Sequence, residues 1–256
     1  MKSTTAYSEE SLTPEITLAI LRDSYIQQCQ YDPEAEPDMD LSFNSTIEDW
    51  RYACDLVAWK PLGRAMNEWF KVQYSDEQWH EVLEPAESKK LLGVCELISS
   101  TATRPSVIPL NIFGNRCLEA GAFVTLRAAL ASAGIPVDSL RPSTPLHPWV
   151  LEYWGGFSDV VGKIAPEVLP PVKIEEPRIQ KFSYRLFAFG IITWLVSLFV
   201  AQEVVSLIAV TSMICGLVLI LFTSRLGPQK VSFGKLETIG DVCRLISASV
   251  KSGCSA

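Results

Sequence analysis

The longest apolar stretch of the chain runs from Leu186 to Ser224 and carries a single charge, Glu203. As one helix it would extend about 58 Å, roughly twice the ~30 Å hydrocarbon core of a bilayer, whereas two helices of about 20 residues fit. Gln202-Glu203 falls midway, where a charge is costly inside hydrocarbon but harmless in an interfacial turn. The pattern predicts a transmembrane hairpin over 182–224, with spans of about 184–202 and 204–224. Gly190 and Gly216 lie at similar distances from that turn, so the helices are expected to approach most closely at one level there. Thr193, Ser197 and Ser206 would add hydrogen bonds along the same seam.

Upstream, the apolar positions recur at helical spacing. Ser45-Thr46-Ile47-Glu48 reads as a capping box opening the run DWRYACDLVAW, and Ser75–Gln78 as a second box before Trp79, Val82 and Leu83. Leu91, Leu92, Val94, Cys95 and Ile98 mark a further helix, and Arg116–Ser132 another, ended by Gly134 and Pro136. Val107–Phe113 alone looks extended, and Pro109 demotes it to a loop or an edge. Thr144-Pro145 starts a helix through Trp149 and Trp154, and Thr238–Asp241 starts a terminal amphipathic helix over 238–250. The fold class expected is mainly α: a helical domain over 45–165, a Pro-rich linker over 166–181, the hairpin, and a tail over 225–256. No internal repeat is visible. Trp50, Trp59, Trp69 and Trp79 recur about every ten residues, which is no repeat-unit period, and read as core residues.

Charge changes this picture at the N-terminus. Residues 1–44 hold nine acids against Lys2 and Arg22, in a chain whose net charge is −7, and read as an acidic, largely disordered tail with a short helix near Pro14–Tyr25. The acidic balance argues against nucleic acid as a partner. No basic n-region with an apolar h-region opens the chain. The seven cysteines are scattered without a C-x-x-C pair, which suits reduced thiols. Lys173, Arg178, Lys181 and Arg185 precede the first span, and Arg225, Lys230 and Lys235 follow the second. With no Lys or Arg in the turn, the expected placement is an integral membrane protein with both termini cytoplasmic.

Candidate chemistry is sparse. His80 and His147 have no metal-spaced partner, and HExxH is absent. Gly156-Phe157-Ser158-Asp159-Val160 begins like a nucleophile elbow but lacks the second Gly that the strained turn requires. No phosphate-cradling glycine loop occurs. Cys117, before an apolar helix and beside Arg116, is a candidate for activation at a helix N-terminus, and Glu203 for an ion or proton site. The sequence thus predicts no catalytic residues, no metal site and no cofactor.

The stretch LRAALASAGIPVDSLRPSTPL, residues 126–146, resembles the first helix and following loop of acyl carrier proteins, and KLETIGDVCRLI, residues 235–246, is similar to the last helix of that fold. The resemblance covers only these segments. Carriers hold phosphopantetheine on the Ser of an Asp-Ser-Leu motif after the loop. Here Asp138-Ser139-Leu140 precedes Thr144-Pro145-Leu146, and Ser158 is followed by Asp159, so the resemblance assigns no prosthetic group.

Together these features suggest a membrane-anchored interaction or scaffold protein. Its cytoplasmic helical domain would hold a protein partner beside the lipid bilayer. The alternative is a membrane-associated acyl- or lipid-handling protein, carrier-like or enzymatic.

Overall fold

The computed structural model describes residues 8–32, 34–175, 178–197, 203–223 and 230–253. The chain divides into two units, residues 1–173 with 232–256, and residues 174–231.

The first unit opens with β1 (Ser8–Ser11) and α1 (Pro14–Gln28). Thr13 caps α1 by accepting from the Ile16 N–H, and Pro14 occupies the first turn, where a missing N–H costs nothing. Leu18, Ile20, Leu21 and Tyr25 of this helix are buried. The stretch expected as a mobile tail therefore supplies a core helix: Glu15 faces outward, Asp23 is buried, and its apolar positions recur at helical spacing. The Tyr25 hydroxyl donates to the Glu36 carbonyl and accepts from the Met39 N–H at 3.2 Å, which ties the following acidic segment to α1.

Four short helices follow: α2 (Ile47–Ala53), α3 (Trp59–Phe70), α4 (Asp76–Leu83) and α5 (Leu91–Ser99). The α2 box is formed by Thr46 with Asp49, one residue beyond the pair expected, and Ser75 with Gln78 caps α4 as anticipated. Trp50 and Trp79 are fully buried, whereas Trp59 and Trp69 are only partly covered. β2 (Thr103–Ser106) then pairs antiparallel with β1, Ser8 opposite Ser106. The segment expected as a loop or edge carries a small hairpin, β3 (Leu110–Ile112) and β4 (Asn115–Cys117). Next come α6 (Leu118–Ser132) and α7 (Leu146–Ile164), the latter kinked at Tyr153. The chain leaves along β5 (Val172–Glu175), turns through α8 (Arg178–Ser197) and α9 (Glu203–Thr223), and returns along β6 (Lys230–Phe233), which pairs with β5. Last, α10 (Ile239–Gly253) packs against α6, so the terminal helix belongs to the folded unit rather than to a tail. Thr238 and Asp241 cap it reciprocally, side chain to backbone.

One motif occurs twice in this unit. Ile47 donates its N–H to the Lys89 carbonyl at 3.0 Å and Leu91 donates to Ser45 at 2.9 Å; correspondingly, Leu146 donates to Glu237 at 2.7 Å and Ile239 to Thr144 at 3.1 Å. Side chains follow the backbone: Ser42 N–H donates to Ser45 Oγ at 2.9 Å, and Arg141 N–H to Thr144 Oγ1 at 2.8 Å. Leu41 and Leu140, Val94 and Val242, Cys95 and Cys243, and Ile98 and Ile246 are all buried at equivalent places. α5 packs on α1 as α10 packs on α6. The absence of a repeat expected above is thus corrected. VCELIS at 94–99 answers VCRLIS at 242–247. No fixed period betrays them, because α3 and α4 interrupt one copy and α8 and α9 the other.

In the second unit α8 and α9 run antiparallel. A Cβ at Gly190 would stand 2.6 Å from Met213 Cγ, and one at Gly216 2.7 Å from the Phe187 N. Both glycines permit close approach, but they contact positions about three residues apart, one turn or ~4.5 Å along the axis rather than one level. Thr193 Oγ1 donates to the Phe189 carbonyl within its own helix rather than across the seam. The side chains of Ser197 and Ser206, and residues 198–202 with the expected turn at Gln202, lie outside the described residues.

The transmembrane assignment does not hold. Among the described residues no helix is long and apolar enough to cross a membrane, which removes the two-span hairpin, the multi-pass topology and the integral-membrane placement built on them. In α8 the reason is visible: Arg178, Lys181 and Arg185 stand in its first turns. Within the described residues of α8 they leave an apolar run of 12 residues, 186–197, or ~18 Å against ~30 Å.

Candidate functional site

The candidate chemical residues are dispersed. His80, exposed on α4, packs edge-on to Trp59 with ring centroids 4.9 Å apart. His147 is half-buried in the first turn of α7. Ser158 lies inside α7 and donates to the Gly155 carbonyl at 3.1 Å, an ordinary helical back-bond, with none of the strand-turn geometry of a nucleophile elbow. Ser139 is exposed in the loop after α6. Cys117 occupies the position before α6 and makes no capping bond. Burial pushes the thiols of Cys54, Cys95 and Cys243 up to about 12, so they are protonated packing residues. Glu203 begins α9. No group of three His, Cys, Asp or Glu able to hold a metal occurs among the described residues.

Two features missed by motif reading stand out instead. The first joins α3 to α7. Asp159 and Lys163 lie one turn apart on α7, with Lys163 Nζ 2.9 Å from Asp159 Oδ2. Nζ also donates to the Trp69 carbonyl at 2.8 Å, in the last turn of α3, where the helix dipole favours a cation. Trp69 Nε1 donates to the other Asp159 oxygen, and the ammonium stands 5.6 Å from the Trp69 ring centroid. Burial lowers the Lys163 pKa, and Asp159 partly restores it. A cleft of about 310 Å³ opens beside this network, lined by Leu12, Phe70, Thr101, Arg104, Val160 and Lys163. Arg104 is engaged by Glu10 at 2.5 Å and by the Ile164 carbonyl at 3.3 Å. These charges satisfy one another, so the arrangement holds α3, α7 and the β1–β2 ribbon together.

The second feature is apolar. Phe189, Ile192 and Leu195 of α8, and Leu207, Leu217 and Phe222 of α9, are all exposed large hydrophobic side chains. With Phe182, Tyr184, Ile191 and Trp194 the exposed apolar positions of α8 run around most of that helix, while those of α9 occupy the half opposite buried Ala209 and Gly216. The same bias appears at the β3–β4 tip, where Phe113 is fully exposed at a left-handed φ of 49°. Single apolar residues at a surface need no explanation; a contiguous apolar surface does. Hydropathy made the hairpin legible in the sequence. The α3–α7 network was not, because Trp69 and Lys163 are far apart in the chain.

No protein-family model, curated protein or solved structure matches this chain.

Proposed function

We propose that this is an interaction protein rather than a catalyst, in which the α8–α9 hairpin engages lipid and the doubled helical unit holds a protein partner. The observation that carries the reading is the apolar surface that runs around most of α8 and over the whole outward half of α9. A protein groove covers one face of a helix; hydrocarbon covers every face at once. The hydroxyls of Thr193 and Thr211 support the same medium, since both return to carbonyls one turn back, at 2.8 Å each, and need no water. Arg185, exposed near the start of α8, suits a phosphate headgroup. The proposal is contact with hydrocarbon from one side of a bilayer; crossing is not part of it. The exposed, strained Phe113 tip supports the protein-partner half, as an aromatic anchor of the kind that dominates interfaces.

Flotation with phosphatidylcholine–phosphatidylglycerol vesicles tests the lipid reading. The full chain should rise with the vesicles, and replacing Ile192, Leu195, Leu207 and Leu217 together by Ser should leave it at the bottom of the gradient. A full chain that stays down, or a quadruple variant that still floats, overturns it.

A further inference from the structure

We propose that the first unit contains a binding site for a small organic ammonium ion, in a cavity walled by Tyr31, Trp69 and Trp154 and by the carboxylates of Asp23 and Asp159. The cavity measures about 270 Å³ and lies between α1 and α7, beside the α3–α7 network. Its volume falls just below the ~300 Å³ at which drug-sized sites begin, which suits a small ion.

Asp23 carries the argument. It sits on α1 with 4% of its surface exposed, and no cation pairs with it among the described residues. The Gln27 side chain and the Glu167 backbone favour its ionised form, while burial and the nearby Glu167 charge oppose it, burial most of all. A buried carboxylate is normally paired, because taking an isolated charge out of water is costly. Among the described residues no Lys or Arg lines the cavity, and Lys163, next to Gly162 in the chain, is already held by Asp159 and by the Trp69 carbonyl. Asp159 is thus answered by Lys163, and Asp23 is left as the wall carboxylate that no cation pairs with among the described residues.

Aromatic rings supply the rest. Tyr31 and Trp154 meet edge to face, with centroids 4.8 Å apart, and Trp69 closes a further side. Ring faces attract cations, and organic ammonium ions are recognised by such aromatic cages combined with carboxylates. Gly155 leaves the wall open, since a Cβ there would meet nothing within 4 Å. Anions are excluded by the carboxylates. A metal ion lacks a ligand set, because no three metal-binding groups converge among the described residues. The site uses nothing from the α8–α9 hairpin, so its fate is independent of the lipid reading: flotation reports on one and ammonium binding on the other.

Isothermal titration of the full chain at neutral pH with tetramethylammonium and choline tests the proposal, with 3,3-dimethyl-1-butanol as the uncharged counterpart of choline. Both cations should bind, and the uncharged alcohol about tenfold more weakly or not at all. Asp23→Asn removes the charge while keeping the shape and should weaken choline at least about tenfold, as should Trp154→Leu. Urea unfolding of Asp23→Asn, which keeps the side-chain shape, separates lost binding from lost folding. Competition by monomeric dihexanoylphosphatidylcholine distinguishes the two sources of such a cation: tighter binding than choline assigns a lipid headgroup, weaker binding a free metabolite, and either result supports an ammonium site. Equal binding of the uncharged alcohol, unchanged binding in Asp23→Asn, or no binding of either cation up to about 10 mM overturns it.

Discussion

Gly162 stands directly behind the Asp23 carboxylate, where a Cβ on residue 162 would lie 2.8 Å from Asp23 Oδ2. α1 and α7 can approach this closely only because one helix lacks a side chain where the other buries an acid. The contact fixes the spacing of the two helices that border the aromatic cavity.

Gly162→Ala should accordingly cost about 1–3 kcal/mol, the range for inserting a methyl into a packed site. Asp23→Ser, which shortens the obstructing group, should recover part of that loss in the double variant. Urea unfolding followed by circular dichroism measures both. Additive losses would show that the two residues do not touch in solution.

Stability should also depend on pH through Asp23. Burial pushes its pKa up to about 6, against the hydrogen bonds from Gln27 and the Glu167 N–H; the Glu167 charge adds to the rise. Asp159 is the other carboxylate facing the cavity. The folded value lies above the unfolded value of about 3.9, so the proton is held more tightly in the fold. That contribution is fully present below about pH 4 and is lost as pH rises through about 6, by up to about 3 kcal/mol. Asp23→Asn should flatten this slope in unfolding measured between about pH 4 and about pH 7. Asp241, held down at about 2 by the Thr238 and Glu237 N–H groups, acts oppositely and in a separate, more acid window. An unchanged slope in Asp23→Asn would contradict the assignment.

Phe113 invites a substitution with opposite effects on stability and on binding. Its φ of 49° is costly for a side chain with a Cβ, and its ring is fully exposed. Phe113→Asn, a residue suited to left-handed turns, should raise stability by about 1 kcal/mol. Captured partners identified by crosslinking to the full chain should be lost in the same variant. A stability loss on thermal unfolding would mean that the ring packs against the protein after all.

Much of the helical order is legible in the sequence, because it depends on local signals. Ser75 and Gln78 announce α4, Thr238 and Asp241 announce α10, and Leu91–Ile98 show the stripe of α5. Pro14–Gln28 misled because an acidic composition outweighs a moderate apolar stripe, while the partners that bury Leu18 and Leu21 lie elsewhere in the chain. The doubled motif escaped because Thr46 meets Lys90, and Pro145 meets Thr238, across unlike insertions. The cavity was beyond local reading altogether. Asp23, Trp69 and Trp154 are unremarkable singly, and only tertiary packing brings them together. The apolar run of 186–224 was plain, yet its hydropathy overstated what its helices can span once Arg185 and its neighbours are wound into α8.

The central claim is contact between the α8–α9 hairpin and hydrocarbon, and Trp194, about two-fifths exposed on α8, reports on it most directly. Lipids brominated on their acyl chains quench a tryptophan only when the ring meets the chains. Emission from the full chain should fall on mixing with such vesicles, and Trp194→Phe should remove most of that fall. Equal quenching with and without Trp194, or none at all, would contradict the account.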